Sequence, residues 1–390
     1  MKSPTKSPLM FLVFTLIIIG LIFISISSLS EATNSVGDKF FFLRKQIIWL
    51  LISLVAFYIC SKINLEKIKK FFFPLYIFSI ITLILVIIPG LSDATLGAHR
   101  WLNLGFIKFQ PSEILKLSLV LFLSQIFSKS QNLNLKNLIF FLGIPFILII
   151  IEPNLSTAIL ISTISISLYY LAGGKIGPLF GFCAFLISLS LILIFISPYR
   201  SARLKTMLNP TQNQETASYH SNQIVLTLSS GGFFGKGFAN SDQKYSFLPK
   251  ISTDSILAVI GEEVGFIGLL LVLLVYISLI SYLFKLSHLI SDPFQSLLIS
   301  GTSLWIAYQS LINISAIAGI IPLTGVPLPF ISYGGSSLST LMVAIGLIRN
   351  IEKNNPILLY SNHESKDNKV HHHYRHSSHP RTRTNPSIKK

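Results

Sequence analysis

Long apolar runs separated by short polar stretches recur along most of the chain. A bilayer-spanning helix needs about 20 predominantly apolar residues. The pattern predicts ten such helices, at about 9–29, 43–60, 71–90, 111–128, 137–152, 155–172, 177–198, 254–284, 295–320 and 334–350. The first run follows Lys2 and Lys6 and has no small-residue cleavage site, so it is expected to be a retained span and not a signal peptide. The fold class expected is an all-α polytopic membrane protein: ten transmembrane helices, with a large extracytoplasmic loop (199–253) between helices 7 and 8. Residues 1–352 form the transmembrane domain in this reading. Residues 353–390 form a polar, basic tail that is expected to be disordered.

Composition agrees with the pattern. The 390 residues are 51% hydrophobic and 12% charged, where a soluble domain carries roughly 25% charged residues. Mean hydropathy is +0.66. The net charge of +16 does not signal nucleic-acid binding, because much of it sits in short loops and the tail. Lys62, Lys67, Lys69 and Lys70, then Lys129 and Lys136, Lys175, Lys285, Arg349 and Lys353 all fall on one side of a ten-span frame. Positive charge marks that side as cytoplasmic, and both termini lie there. Cys60 and Cys183 sit inside apolar runs and read as small buried hydrophobes. His371, His372, His373, His376 and His379 could bind metal, but read more simply as part of the polar tail.

The unusual residue patterns fall on the outer side. Loop 91–110 contains Gly97 and Gly105 and runs into Pro111, so it reads as a shaped loop entering a helix at its N-terminus. Glu113 and Lys116 follow at i,i+3 and share a helix face. They are either an ion pair that neutralises itself at the membrane edge or a charged patch in which Lys116 meets a phosphate. Arg100 and Trp101 could contact a lipid head group, although a lone Trp is more often an interfacial anchor. Glu152 lies in a short turn forced by Pro153, as a solvated turn residue or a cavity residue. Loop 199–253 suggests a short amphipathic helix and then a Gly-rich segment with Gly231, Gly232, Gly235 and Gly237. No nucleotide-binding glycine pattern is present. Arg200, Arg203, Lys205, Lys236, Lys244 and Lys250 give the loop a surface suited to an anionic ligand, or more blandly to anionic lipid. In the last outer segment, Pro322, Pro327 and Pro329 with Gly325, Gly334 and Gly335 exclude a regular helix. Ser336 and Ser337 there could satisfy freed backbone groups or meet a ligand. Gln309 and Asn313, i,i+4 in a span, point to interhelical hydrogen bonding.

Three carboxylates gather at the eighth span. Asp254 could cap the helix together with Thr253, or serve as a base at its mouth. On a continuous helix Glu262 lies roughly 80° around from Asp254 and about 12 Å deeper, with Glu263 on the opposite face. Glu262 is then the candidate to share a cavity with Asp254, and Glu263 the candidate to pair with another helix.

Four stretches in register carry a family resemblance: GAHRWLNLGFIKFQPSEILKL, SSGGFFGKGFANSDQKYSFLP, TDSILAVIGEEVGF and GIIPLTGVPLPFISYGGSS. From about residue 40 to 350 the chain resembles the FtsW/RodA/SpoVE family, with NSDQK and IGEEVG leaning to the FtsW branch. The resemblance implies a peptidoglycan glycosyltransferase that polymerises lipid II on the outer face of the bacterial cytoplasmic membrane, in septal or cell-shape wall synthesis. Its essential aspartate falls on Asp254. Its substrate-binding motifs fall on Arg100, Trp101, Glu113 and Lys116, with Glu152, Lys244, Ser336 and Ser337 as further candidates. The implied partners are a class B penicillin-binding protein transpeptidase and other divisome or elongasome membrane proteins. The chain also departs from the family pattern. Lys250, Ser252 and Ser255 stand where the family has an acid, a histidine and a phenylalanine, and Asn154 stands where it has an aspartate.

The chemistry fits the residues. A sugar hydroxyl attacks an anomeric carbon once a carboxylate takes its proton. The departing lipid pyrophosphate needs positive charge, from Lys116, Arg100, loop lysines or a divalent cation such as Mg2+ or Mn2+. No metal ligands and no certain cofactor are assigned. A lipid II flippase would also use outward cavities, broken helices and intramembrane charge. A flippase, however, would more naturally centre its polar groups at the midplane, whereas here they cluster outside. A non-catalytic division scaffold would leave the outer motifs unexplained.

Overall fold

The computed structural model describes residues 7–355 except 37, 39, 89, 91, 96–97, 104, 106–107, 130–132, 209–216 and 238–252. Lys205, Lys244, Lys250, Ser252 and the histidines of the tail therefore fall outside the described positions or side chains. The chain is mostly helical. The helices are α1 (Pro8–Val36), α2 (Phe41–Cys60), α3 (Leu65–Ile68), α4 (Phe72–Ile87), α5 (Pro111–Lys129), α6 (Leu135–Ile151) and α7 (Leu155–Leu171). They continue with α8 (Ile176–Ile196), α9 (Pro198–Leu208), α10 (Ala217–Ser230), α11 (Ile256–Leu289), α12 (Pro293–Ile317) and α13 (Gly335–Asn354).

Each apolar run expected to span coincides with a helix. Among the described residues, seven helical segments are both long and apolar enough to cross a membrane: α1, α2, α3 with α4, α5, α8, α11 and α12. The apolar helices α6 and α7 are 17 residues each. The chain is thus a multi-pass membrane protein.

Two expectations change. Loop 91–110 holds three short antiparallel strands in the order β1 (Ser92–Thr95), β2 (Ala98–Asn103), β3 (Lys108–Phe109), so the fold is not all-α. SDAT and AHRWLN do not alternate apolar with polar residues, and KF is only two residues long, so no strand pattern marks them. The long stretch 199–253 contributes to two helices, α9 and α10, rather than one.

Helix α5 is the most enclosed span, with 78% of its apolar window buried, whereas α8 has 6% buried and turns nearly all its surface outward. Against α5 pack α4, α7 and α12. Ser79 Oγ on α4 meets Ser118 Oγ on α5 at 3.0 Å, and Tyr76 stacks on Phe122 with ring centroids 4.9 Å apart. Small residues and hydroxyls let the helices approach closely without a hydrophobic driving force. The same device joins α2 to α13, where Ser53 Oγ meets Ser339 Oγ at 2.9 Å.

Candidate functional site

Asp254 lies in the turn immediately before α11, half-buried. The N-cap of α11 is Ser255, whose own side chain makes no capping hydrogen bond. The neighbour of Asp254 is the irregular segment between α12 and α13. Gly325 of that segment has φ +68°, a left-handed conformation, and a Cβ placed on it would stand 3.4 Å from Asp254 Oδ2. Glycine therefore serves twice, by permitting the turn and by leaving room beside the carboxylate.

The segment is irregular because of its prolines, and much of it is buried, including Val326, Leu328, Phe330 and Ile331. Buried carbonyls outside regular structure need donors. Side chains supply them one by one. Arg203 Nη1 donates to Leu323 O at 2.6 Å, Asn313 Nδ2 to Val326 O at 2.8 Å and Gln309 Nε2 to Pro327 O at 2.8 Å. The Tyr276 hydroxyl donates to Pro329 O. Asn313 Nδ2 also donates to Asp254 O at 3.2 Å.

Gln309 joins this segment to α5. Its Oε1 accepts from Lys116 Nζ at 2.8 Å and from Trp305 Nε1 at 2.7 Å. Lys116 Nζ pairs with Glu113 Oε1 at 2.8 Å, and both side chains are almost completely buried, at 2% and 4% exposed. At that depth an ion pair needs further hydrogen bonds to offset its desolvation, and Gln309 supplies one. Ser336 Oγ accepts from Gln110 N at 3.2 Å and so ties the start of α13 to the start of α5. Ser336 and Ser337 are both buried.

Arg100 and Glu152 meet at a second place. The Arg100 guanidinium donates to Glu152 O at 3.4 Å and to Pro153 O at 2.5 Å. Glu152 is buried, and its Oε1 has no hydrogen-bond partner among the described residues. Burial pushes its carboxyl up to about 8, with Arg100 partly opposing. Asn154 caps α7 by accepting from Thr157 N. Trp101 sits half-buried in β2, with its backbone opposite Asp93 of β1.

The helical-wheel relation between Asp254 and Glu262 assumes one continuous helix from residue 254 onward. Asp254 precedes the helix, and α11 is broken at Gly265 (φ 71°, ψ −169°). The Gly-rich turn after α10 inserts at the break and supplies the missing backbone bonds. Phe266 N donates to Gly232 O at 2.9 Å and Ile267 N to Phe233 O at 3.2 Å, while Lys236 N donates to Glu262 O at 2.9 Å and Gly237 N to Glu263 O at 3.1 Å. Glu262 Oε1 pairs with Lys236 Nζ at 2.9 Å and accepts from Ser230 Oγ at 3.2 Å. Glu262 and Glu263 are both buried.

An apolar cavity of about 400 Å³ opens between α10, α11 and α12. Its lining includes Leu257, three residues after Asp254, with Leu228, Leu269, Ile317 and Leu328. Among the described residues, no group of three or more His, Cys, Asp or Glu side chains could hold a metal ion.

The family model for the cell cycle proteins FtsW, RodA and SpoVE matches residues 7–356. The probable peptidoglycan glycosyltransferase FtsW of Pasteurella multocida is 31% identical over 359 residues, 90% of this chain and 91% of the relative. Its counterpart in Coxiella burnetii is 33% identical over 349 residues, 86% of this chain and 93% of the relative. A chain from the solved structure described as "Structural coordination of polymerization and crosslinking by a peptidoglycan synthase complex" superposes with a TM-score of 0.73. It is 24% identical, with 89% of this chain and 97% of that chain covered, and it shows the same fold.

Proposed function

The chain belongs to the FtsW/RodA/SpoVE family, and from that membership we propose that it is a peptidoglycan glycosyltransferase. In this reading it polymerises lipid II on the outer face of the bacterial cytoplasmic membrane, for septal or cell-shape wall synthesis. All ten apolar helices span, and both termini are cytoplasmic. A class B penicillin-binding protein transpeptidase is the partner that would crosslink the strands, alongside other division or elongation membrane proteins. Residues 353–390 act as a basic cytoplasmic tail.

One observation carries the reading. A half-buried carboxylate, Asp254, stands just before α11, three residues ahead of Leu257, which lines an apolar cavity of about 400 Å³. A lipid-linked sugar needs both a polar reacting end and an apolar seat. Asp254 takes the proton from the 4-hydroxyl of one sugar as its oxygen attacks the anomeric carbon of the other. The bond from that carbon to the lipid pyrophosphate breaks, and the pyrophosphate leaves. One base and no covalent nucleophile give a single displacement with inversion. Arg100 and the basic residues of 199–253 offer positive charge for the leaving group.

The test uses purified protein with its transpeptidase partner in liposomes, given labelled lipid II. Glycan chains longer than the disaccharide are expected. Movement of intact lipid II between leaflets without chain growth would assign a flippase instead.

A further inference from the structure

Trp305, Gln309 and Asn313 follow one another at i, i+4 and i+8, so they form a single stripe along α12. All three are buried. The spacing alone suggests glue between helices, but the bonds go elsewhere. Both hydrogens of the Asn313 amide are donated to non-helical carbonyls, Asp254 O and Val326 O. The Gln309 amide donates to Pro327 O, the next carbonyl along the same segment. The stripe therefore grips the peptide of Asp254 with one residue, and the segment that Asp254 Oδ2 rests beside with two. Its deep end is fixed, because Gln309 Oε1 is held by Lys116, which Glu113 neutralises.

We propose that Asn313 and Gln309 are positioning residues for Asp254, and that the Glu113–Lys116 pair is the buried anchor from which they hang. The inference rests on Asp254 acting as the base. Neither amide touches substrate in this account. Asn313 sets where the Asp254 backbone sits relative to the 325–327 turn, and so the angle at which the carboxylate meets the sugar hydroxyl. A displacement of about 1 Å in such a group costs on the order of 100-fold in rate. The apolar cavity between α10, α11 and α12 is the seat proposed for the lipid chain, and neither amide lines it. The amide is the suitable side chain for the task. It offers two donors from one nitrogen, carries no charge, and is short enough to reach both carbonyls from one helix.

The test is a kinetic comparison in liposomes with labelled lipid II. Asn313→Leu keeps the shape and removes both donors. A fall in kcat of at least tenfold is expected, with KM for lipid II within about threefold of wild type. Asn313→Gln, which keeps the donors, recovers part of kcat. Gln309→Leu lowers kcat by a smaller factor. The double Leu variant falls short of the product of the two, because both hold one segment. Ser332→Ala is the control. Its Oγ accepts from Leu328 N at 2.9 Å, so the substitution loosens the peptide that Gln309 also holds without touching the Asp254 peptide, and the fall in kcat is smaller than that of Asn313→Leu. If Asn313→Leu does not fold, the Asn313→Gln and Gln309→Leu comparison against Ser332→Ala decides alone.

The inference is overturned if Asn313→Leu keeps wild-type kcat, if its effect falls on KM, or if Ser332→Ala loses as much kcat as Asn313→Leu. Those outcomes leave the wild-type enzyme polymerising. A wild-type protein that forms no glycan would instead overturn the glycosyltransferase reading itself.

Discussion

Glu152 shows what a single residue contributes when the turn that carries it is buried. Its side chain is 3% exposed, and Arg100 bonds to the neighbouring carbonyls. Its folded pKa is raised from 4.5 to about 8. Between those values the unfolded chain has lost the proton and the folded chain keeps it, so this group's contribution to stability falls as pH rises. Glu152→Gln removes the titration. In thermal unfolding in detergent, the variant is expected to melt above wild type at pH 8, with the gap closing toward pH 5. A gap independent of pH would contradict that assignment. From the sequence, Glu152 stood as either a solvated turn or a cavity residue, because exposure is not written in a turn. Asp254 was visible through its motif. Gln309 and Asn313 were visible only as a pair on one face, because i,i+4 spacing fixes the face and not the partner. Their partners are backbone carbonyls in a segment some fifteen residues further on, which no residue type advertises.

At the level of elements, the break in α11 is the feature the apolar pattern hides. A continuous run of apolar residues reads as one helix, yet Gly265 takes φ 71° and the turn 231–237 replaces the lost bonds. The legible signals were Gly261, Gly265 and Gly268 in one span and the glycines after α10. Gly231, Gly235 and Gly265 let backbones meet where a Cβ would collide. A Cβ on Gly265 would stand 2.3 Å from Gly235 N and 2.6 Å from Phe233 O, both backbone atoms that cannot swing aside. Gly265→Ala is therefore expected to lower the melting temperature and activity together, at a cost of at least about 1–3 kcal/mol from backbone strain alone. Gly143→Ala in α6 has nothing within 4 Å of the added carbon. It should be neutral or, by about 0.5–1 kcal/mol, stabilising. Equal losses in the two variants would contradict the account of the break. The small sheet at 92–109 escaped the sequence for a different reason, since SDAT and AHRWLN do not alternate apolar with polar residues and KF is only two residues long.

Over the whole molecule, the order and rough bounds of the spans were legible because a bilayer demands long apolar runs. Which helix lies at the centre was not. The polar residues of α5 and α12 lower their hydropathy to 1.2, the least of the seven candidate spans, yet these two are the most enclosed. Their polar groups are what the surrounding helices bury, and they lead from Glu113 and Lys116 through Gln309 and Asn313 to Asp254. The architecture thus supports one half-buried carboxylate from a buried polar interior. The most direct measurement of that claim compares Asp254→Asn with wild type, both folded to the same melting temperature, in liposomes with labelled lipid II and the transpeptidase partner. Loss of the base predicts a fall in glycan polymerisation of about 100-fold or more, with lipid II still bound. Polymerisation by Asp254→Asn at near wild-type rate would contradict it.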